Sequence, residues 1–349
     1  MPRRRTSGPP IMADVARLAG VSHQTVSRVL NEHPNVRPET RDRVLAAIEE
    51  LAYRRNFSAR ALVTSRTQTL GVVAFDTTLF GPASTLYGIE QAAREAGYFV
   101  SIVSLKSITR ETVRKALDYL AAQSVDGYIV LAPQQAAIEA ITDLPLGLPV
   151  VAVEGPNAGD VPIVAVDQAG GGALATRYLL DLGHRTVWHI GGPADWLEAD
   201  ARVRGWESEL TGAGRPVPPP IRGDWSPRSG YQAGAELATL ARTEPGRITA
   251  IFVGNDQMAL GALRALREAD IRVPEDVSVV GFDDIPEAEF FPPPLTTVTQ
   301  DFTEVGRRSM RMLLAQLDSA RPDHPPDALR DIVPARLAIR SSTARFIDQ

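Results

Sequence analysis

Apolar and polar positions follow one pattern over most of the chain, in which short apolar runs alternate with longer segments of helical spacing. From Leu70 onward, helical segments such as residues 85–96 and 257–269 separate runs that are rich in β-branched residues. Such runs are typical of strands buried on both faces. The pattern therefore predicts parallel sheets with helices on both sides. The predicted strands are LGVVAF, YFVSIV, GYIVLA, PVVAVE, IVAVD, VWHIGG, AIFVG and VSVVGF.

The N-terminal part of the chain has a different pattern. Residues 14–30 read DVARLAGVSHQTVSRVL and contain two short amphipathic segments that meet at Gly20. Ser22 is placed to cap the second segment, whose apolar residues Val26 and Val29 fall on one face. Two short helices joined by a turn that contains glycine form a helix-turn-helix.

The outer side of the second predicted helix carries side chains that form hydrogen bonds. Such side chains read base edges or hold phosphates when a helix lies in the major groove of DNA. The alternative is an ordinary amphipathic hairpin inside a helical domain. The side chains concerned are His23, Gln24, Thr25, Ser27 and Arg28.

Charge is distributed unevenly over the 349 residues, a length that suggests two or three domains. The net charge of -5 combines +6 over residues 1–66, which hold 12 arginines and no lysine, with -11 over the remainder. A basic segment alone is often only a solvated surface, but beside a helix-turn-helix it suits the phosphate backbone of DNA. We therefore expect a DNA reader joined to an acidic sensor.

Composition and spacing exclude several kinds of site. The chain has no cysteine, which excludes disulfides and thiolate metal ligands. His184 and His189 have no further ligands at metal spacing, and GGGA at 170–173 lacks the GxGxxG spacing of a dinucleotide site. We expect both histidines to be structural and the glycines to begin a helix that packs against a strand. Because no nucleophile, base and orienting group assemble, we expect no metal site, no cofactor, no catalytic residue and no enzyme activity.

The first ten residues, MPRRRTSGPP, have arginines but no apolar segment after them, so they do not form a secretory signal. No later run is long and apolar enough to cross a membrane. We expect a cytoplasmic protein with no membrane partner and a disordered arm at residues 1–10.

The motif DVARLAGVSHQTVSRVLN resembles the DNA-reading headpiece of the lac repressor family of transcription regulators. The resemblance continues with VRPETRDRVLAAIEELAY, similar to the third headpiece helix, and with GHRTVWHIGGP, NDQMALGALRAL, VSVVGFDD and PPLTTVTQDF, so that it covers nearly the whole chain. It implies an α/β fold with a small all-α N-terminal domain. A helix-turn-helix headpiece would precede a two-lobed, periplasmic-binding-protein-like body of parallel sheets.

The resemblance also implies domain boundaries, with three crossings of the chain between the lobes. It places the headpiece at 11–55, a hinge helix or linker at 56–69, the effector-binding and dimerisation domain at 70–343 and a tail at 344–349. Lobe 1 is expected at about 70–166 and 298–327, and lobe 2 at about 167–297 and 328–343.

In the headpiece, the resemblance assigns DNA contacts. His23 and Gln24 occupy the pair of positions that sets operator choice, and we expect Arg28 to make a bidentate contact with guanine. Two positions depart from the family, because Ile11 replaces a threonine cap and Arg37 replaces a serine. The predicted headpiece contacts are Ser22, His23, Gln24, Thr25, Ser27, Arg28, Asn31, Arg37 and Thr40.

The linker carries a short helical pattern from Asn56 to Leu62. A helix of about two turns is unstable alone because nucleation is costly, so it forms only where DNA and a partner hinge support it. The pattern resembles the family's hinge helix, in which Leu62 matches the wedge that opens a base step in the minor groove. Asn56 and Ala59 match neighbouring minor-groove contacts. The alternative is an inert tether.

Polar side chains follow several predicted strands at their carboxyl ends, where open parallel sheets bind ligands. Glu154 follows PVVAV, Asn255 and Asp256 follow AIFVG, and Asp283 and Asp284 follow VSVVGF. Aspartate at the end of a strand often caps the next helix. We therefore expect Asp256 and Asp284 to be structural.

The resemblance implies that these side chains belong to an effector-binding site. Arg202 and Trp225 join Asn255 and Asp283 at positions where the family holds a galactoside, and the indole is expected to cover the apolar face of the pyranose. The predicted effector residues are Leu79, Gly81, Pro82, Glu154, Arg202, Trp225, Asn255, Asp283, Gln300 and Phe302.

Together these features predict a repressor that a small sugar, expected to be a galactoside, releases from a palindromic operator on double-stranded DNA. Phe75 and Asp76 depart from the small hydroxyl residues implied there, which leaves the identity of the sugar open. Two-fold operators require a dimer, and no leucine heptad follows the last lobe, so we expect a homodimer rather than a tetramer. The alternatives are a purine or other co-repressor that promotes DNA binding, a pure sugar-binding protein, and an enzyme built on the α/β body.

Overall fold

The chain divides into two compact units, Met1–Thr67 and Gln68–Gln349. Within the described ranges, no helix is long and apolar enough to span a membrane, and no group of three or more His, Asp or Glu side chains could hold a metal ion. The computed structural model describes residues 10–30, 33–54, 66–142, 147–155, 161–318 and 330–346.

Three helices form the N-terminal unit: α1 (Met12–Ala19), α2 (His23–Leu30) and α3 (Pro38–Glu50). α1 ends at Gly20, whose φ of 65° is left-handed and suits glycine. The Thr25 amide donates to Ser22 Oγ at 3.1 Å, so Ser22 caps α2 as predicted. Ile11 offers no capping side chain to α1, and its amide donates instead to Asp14 Oδ2 at 3.0 Å.

The apolar faces of the three helices share one small core. Val15, Val26 and Val44, one from each helix, are fully buried there. Tyr53, which follows α3, packs on the same core. This core fixes the orientation of α2 and leaves its polar side facing outward.

The second unit contains two sheets, and each defines a lobe. In the first sheet the strand order is β11-β5-β4-β3-β1-β2 and all pairs are parallel. These strands are β1 (Thr69–Phe75), β2 (Phe99–Leu105), β3 (Gly127–Leu131), β4 (Val150–Val153), β5 (Ile163–Val166) and β11 (Arg330–Val333).

In the second sheet the order is β12-β10-β9-β8-β6-β7, and only the pair of β12 with β10 is antiparallel. The strands are β6 (Trp188–Gly191), β7 (Ile221–Arg222), β8 (Ala250–Val253), β9 (Ser278–Asp283), β10 (Thr296–Thr299) and β12 (Arg336–Ala338). The α/β fold with parallel sheets is as predicted.

Helices cover both faces of each sheet. Lobe 1 carries α4 (Phe80–Glu95) and α11 (Phe302–Asp318) on one face, and α5 (Arg110–Ala122) and α6 (Gln135–Thr142) on the other. Lobe 2 carries α7 (Gln168–Asp181) and α8 (Leu197–Gly212) on one face, and α9 (Pro227–Thr243) and α10 (Asp256–Glu268) on the other. A 3-10 turn at Ala288–Phe290 precedes β10.

α7 and α8 approach so closely that both need glycine at the crossing. A Cβ at Gly172 would collide with the Arg202 backbone, and one at Gly205 would collide with the backbone of α7. This contact fixes the position of Arg202. A Cβ at Gly171 would lie 2.8 Å from the Phe282 ring on β9, so the GGGA motif begins a helix that packs against a strand, as predicted.

The chain crosses between the lobes three times, but two predicted boundaries are wrong. β10 continues to Thr299 in the second sheet, so the second crossing lies at 300–301 rather than before 298. β11 pairs with β5, which places Arg330–Val333 in lobe 1 rather than lobe 2 and moves the last crossing to 334–335. β11 is a short, largely unburied strand, and its sequence RDIV carries no signal for a partner as distant as Ile163. Residues 319–327 lie outside the described ranges.

Candidate effector cavity and DNA-reading helix

α2 presents a polar, solvent-exposed side. Val26 and Val29 on its opposite side are buried in the headpiece core. This arrangement is the one that a helix in the major groove requires. Of the predicted contacts, Ser22, His23, Gln24 and Arg28 are exposed, and Thr25 and Ser27 are partly exposed.

Arg37 and Thr40 lie at the start of α3. Arg37 is the exposed N-cap residue, with Pro38 in the first helical turn, and the Thr40 amide donates to its carbonyl oxygen at 3.0 Å. A helix N-terminus beside an arginine favours an anion such as a phosphate. Four further predicted contacts lie outside the described residues: Asn31, Asn56, Ala59 and Leu62. Residues 1–9 of the predicted arm and residues 56–65 of the predicted hinge lie outside them too.

A cavity with about 660 Å³ of empty space, part of which is open to solvent, lies between the two lobes of the body. Glu154 follows β4, Asn255 follows β8 and Asp283 ends β9, so the cavity lies at the carboxyl ends of the strands. The structure brings all the predicted effector residues together in its lining: Leu79, Gly81, Pro82, Glu154, Arg202, Trp225, Asn255, Asp283, Gln300 and Phe302.

Four side chains form a closed ring of polar contacts in the cavity wall. Arg202 Nε donates to Gln168 Oε1 at 2.9 Å, and Gln168 Nε2 donates to Gln300 Oε1 at 2.9 Å. Gln300 Nε2 donates to Asp283 Oδ1 at 2.7 Å, and the Arg202 guanidinium lies 3.5 Å from the same oxygen. Gln168 and Gln300 lie at the first two crossings between the lobes. The ring therefore connects both crossings to lobe 2.

The Arg202 guanidinium is held on all sides. Besides Gln168 and Asp283, it donates to the Gly254 carbonyl oxygen, so each of its three nitrogens has a protein partner. It also lies over the Phe282 ring, 3.7 Å from the ring centroid. Burial raises the pKa of Asp283 to about 6, and the opposing effects of Arg202 and Gln300 limit the rise.

Three of the predicted effector residues have a left-handed backbone, which side chains other than glycine seldom adopt. The φ angles are 64° at Glu154, 72° at Trp225 and 105° at Asp283. Such strain costs about 1–3 kcal/mol per residue and clusters at functional sites. Asn255 helps to hold the tryptophan loop, because its Nδ2 donates to the Trp225 carbonyl oxygen at 3.1 Å while its Oδ1 accepts from the Met258 amide at 2.9 Å. A contact between Asn255 and a ligand stays a prediction.

Aromatic rings form the apolar part of the wall. The Trp196 and Trp225 rings meet edge to face, with centroids 5.7 Å apart and an angle of 75° between the planes. Phe75 lies 6.0 Å from Trp196, and Phe80 lies 5.9 Å from Phe302. Trp196 and Phe80 were not predicted as site residues. Trp196 follows the carboxyl end of β6, so the rule that indicated the polar residues could have found it.

Two glutamates face the cavity, and one of them was not predicted. Glu154 Oε1 accepts from the Val166 amide at 3.0 Å. Glu198, one helical turn before Arg202 on α8, has a buried Oε2 with no hydrogen-bond partner among the described residues, and Trp225 Nε1 is in the same situation. Burial raises the pKa of both glutamates, and the neighbouring Glu154 raises that of Glu198 further. The spacing of four residues from Arg202 was the available signal.

The aspartates that we expected to be structural have protein partners. Asp256 accepts the Ile285 amide at 2.9 Å and the Thr297 hydroxyl at 2.6 Å. Burial raises the pKa of Asp256 to about 8. Asp284 pairs with Arg340 at 2.7 Å. These contacts agree with the structural interpretation of both residues.

The two histidines of lobe 2 are also engaged within the fold. His184 forms hydrogen bonds with the hydroxyls of Thr249 at 2.9 Å and Ser278 at 3.1 Å. His189 Nδ1 lies 2.9 Å from the Phe252 carbonyl oxygen. Burial lowers the pKa of His184 to about 4 and that of His189 to about 3, so both are neutral structural groups.

Comparison with known proteins agrees with both units. Residues 11–56 match the bacterial regulatory proteins of the lacI family. Residues 176–343 match a periplasmic binding protein-like domain.

Full-length relatives extend this agreement over nearly the whole chain. The HTH-type transcriptional repressor PurR of Haemophilus influenzae is 34% identical over 341 residues, which cover 96% of this chain and 98% of that protein. The ribose operon repressor of Escherichia coli is 34% identical over 310 residues, which cover 88% and 92%. A solved structure of the lac repressor dimer bound to operator and the anti-inducer ONPF superposes with a TM-score of 0.81 and 32% identity, covering 97% of this chain and 100% of that chain. The predicted family is thereby confirmed, and the chain belongs to the lacI family of bacterial regulatory proteins as a DNA-binding transcriptional regulator.

Proposed function

We propose that this regulator is a repressor that binds a palindromic operator as a homodimer and leaves it when a small sugar fills the cavity. The main support is the wall of the cavity, which places the four hydrogen-bonded side chains beside the indoles of Trp196 and Trp225. Donors and acceptors in fixed positions suit the adjacent hydroxyls of a sugar, and indole faces suit the apolar side of a pyranose.

The DNA-binding part of the proposal is supported by α2 and α3. His23, Gln24 and Arg28 extend into solvent from a helix whose other side is buried. Arg37 stands at a helix N-terminus, where a phosphate is favoured. The lac repressor to which this chain is similar was solved as a dimer on its operator. A dimer has the symmetry that a palindromic site requires.

Release requires that the sugar bind one arrangement of the lobes more tightly than the other. A coupling free energy of about 1–3 kcal/mol is typical of such regulators. The polar ring is well placed for this role, because Gln168 and Gln300 lie where the chain crosses between the lobes. A ligand that contacts the ring therefore acts on the connections about which the lobes would move.

A galactoside is our first candidate among sugars, since Arg202, Trp225, Asn255 and Asp283 occupy the positions at which the family holds one. The second candidate is a purine co-repressor that strengthens DNA binding. It is favoured by the tryptophan rings, which offer a stacking surface for a planar base. The ribose operon repressor, a relative of this chain, supports the sugar instead.

The experiment combines two measurements on the full chain. Tryptophan fluorescence is titrated with galactosides, glucosides, ribose and purines, because Trp196 and Trp225 line the cavity. DNA selected by the protein from a randomised pool is then used to measure binding by fluorescence anisotropy with and without each compound. We expect one sugar to change the fluorescence saturably and to weaken DNA binding. A purine that strengthens DNA binding would replace the first candidate with the second, and no effect of any compound would refute effector control.

A pair of arginine variants tests how DNA is read. We expect Arg28→Ala to cost about 1–3 kcal/mol on the selected sequence and to relax sequence preference. Arg37→Ala, at a proposed phosphate contact, should weaken binding evenly on all sequences and reduce its salt dependence. Equal losses on all sequences for Arg28→Ala would refute its role in reading bases.

A further inference from the structure

The charged groups that line the cavity are strongly unequal in sign. Among the described residues, three carboxyls, those of Glu154, Glu198 and Asp283, face a single guanidinium, that of Arg202. Asp283 is the partner of Arg202 at 3.5 Å, so this pair is neutral as a whole. Neither glutamate has an ion-pair partner within the described part of the chain. Whatever the protonation of the glutamates, the cavity therefore offers no net positive charge to a ligand.

Arg202 cannot easily serve an anionic ligand either. Its three nitrogens are engaged by Gln168, Gly254 and Asp283. Each terminal nitrogen keeps a second N–H, but a phosphate that approached the guanidinium would meet the Asp283 carboxylate, which lies 3.5 Å from it. The arrangement therefore disfavours phosphorylated or carboxylated ligands.

Two polar atoms in the same wall lack partners. Glu198 Oε2 and Trp225 Nε1 are buried, and neither forms a hydrogen bond with any described residue. Buried polar atoms without partners are rare in folded proteins, and each costs free energy unless a ligand or water satisfies it. Glu198 supplies an acceptor and Trp225 a donor, beside ring faces that suit C–H groups. Hydroxyl or amino groups on a saccharide ring complement this pair.

We propose that Glu198 is a specificity-determining residue: it accepts a hydrogen bond from a hydroxyl or amino group of the effector and restricts the cavity to saccharides without negative charge. This inference rests on the proposed function and narrows its ligand class. The ring formed by Arg202, Gln168, Gln300 and Asp283 orients the ligand, and Glu198 selects it. Phosphate esters of the same sugar are excluded because the described lining offers them no unpaired cation, Arg202 being paired with Asp283.

The test compares matched sugars on the full chain by titration calorimetry. Galactose, glucose and ribose are each measured against their terminal phosphate esters, and galactose is also compared with galactosamine. We expect at least one unphosphorylated sugar to bind at least 100-fold more tightly than its phosphate. Tighter binding of galactosamine would identify an amine as the donor and tighter binding of galactose a hydroxyl, and both results fit Glu198 as the acceptor.

Three variants separate Glu198 from the rest of α8. Glu198→Gln replaces the carboxyl with an amide and should weaken binding of the preferred sugar at least tenfold while reducing discrimination against the phosphate about tenfold. Glu198→Asp keeps a carboxyl but shortens the side chain, so it should lose affinity and keep the discrimination. Glu207→Gln makes the same change at an exposed position of the same helix and should behave as the wild type. Circular dichroism confirms that each variant is folded.

The outcomes distinguish this inference from the proposed function. If a sugar phosphate binds as tightly as its parent sugar and releases DNA, the inference is overturned while effector-controlled repression survives. If Glu198→Gln binds the preferred sugar as tightly as Glu207→Gln does, the role of Glu198 is overturned. If no saccharide binds or changes DNA affinity, the proposed function fails and the inference fails with it.

Discussion

The two lobes share one cavity but contribute different chemistry to it. Lobe 2 supplies Trp196, Glu198, Arg202, Trp225 and Asp283, which include most of the charged and hydrogen-bonding groups. Lobe 1 supplies mainly apolar surface from the start of α4, with Glu154 as its one charged side chain among the described lining residues. A ligand would therefore be oriented and selected by lobe 2, whereas lobe 1 would respond to whether the cavity is filled.

Lobe 1 also makes apolar contacts with lobe 2 beside the cavity. Phe75, Leu79 and Phe80 from lobe 1 pack against the core cluster of lobe 2 that contains Trp196 and Trp225. Apolar contacts of this kind are not directional, so they tolerate small shifts between the lobes. The polar ring of lobe 2 depends on specific hydrogen-bond distances, so it does not tolerate such shifts. Predictions that weaken one kind of contact at a time can therefore separate orientation of the ligand from closure around it.

The largest effect is expected from breaking the polar ring of lobe 2. Arg202→Ala leaves the buried Asp283 without its cation, which should lower the free energy of unfolding by about 3–5 kcal/mol. Arg204→Ala, two residues further along α8 at an exposed position, removes only an exposed pair with Asp200 and should cost about 1 kcal/mol or less. Urea denaturation of both variants measures the difference. Equal losses would show that the ring does not stabilise lobe 2.

A rise of pH from about 4 to about 8 should weaken lobe 2 through Asp256. Burial raises the pKa of Asp256 to about 8, whereas an aspartate in the unfolded chain titrates near about 4, so the folded state binds more protons between these values. Stability contributed by this proton is lost as pH rises, by about 1.4 kcal/mol per pH unit up to about pH 8.

Asp256→Asn isolates this effect because asparagine stays neutral at every pH. Its side chain can still accept the Ile285 amide and pair with the Thr297 hydroxyl. Between pH 6 and pH 8 the wild type should lose about 2 kcal/mol relative to the variant, measured as the difference between two urea denaturation series. Parallel curves would contradict a protonated Asp256 in the folded state.

A smaller and selective effect is expected at the tryptophan face of lobe 2. Trp225→Phe keeps an aromatic ring but removes the buried Nε1 donor, so sugar affinity should fall about tenfold, or about 1.4 kcal/mol. The loss should be larger for sugars that offer an acceptor oxygen to this nitrogen. Trp188→Phe changes a tryptophan outside the cavity lining and serves as the control in calorimetric titrations. An equal loss of sugar affinity in both variants would mean that the substitutions act by disturbing the fold rather than by removing a contact with the ligand.

The sequence predicted which polar residues of lobe 2 line the cavity better than it predicted how they are arranged there. Family resemblance and strand ends led to Arg202, Trp225 and Asp283, because a motif conveys which residue types stand at a position. Glu198 was missed since its role depends on how α8 is rotated over lobe 2, which is set by the contact at Gly172.

The lobe boundaries show the same limit. The apolar runs predicted eight strands, but β7, β10, β11 and β12 are short and have no such run. β11 was placed in the wrong lobe because strand pairing depends on the path of the chain through the crossings, which local residue types do not encode. Local chemistry was thus predictable, whereas pairing between distant segments was not.

The smallest effect is expected on the apolar side, at Leu79 of lobe 1. This half-buried residue packs against the core cluster of lobe 2, and Leu79→Ala should cost sugar affinity about 1 kcal/mol or less, equivalent to about fivefold or less. Because the loss would fall on closure of the lobes rather than on a hydrogen bond to the ligand, it should be the same for every sugar that binds. Trp225→Phe should instead change the order of preference among sugars. Calorimetry of both variants on one set of sugars tests this contrast, and a change of preference in Leu79→Ala would mean that lobe 1 also selects the ligand.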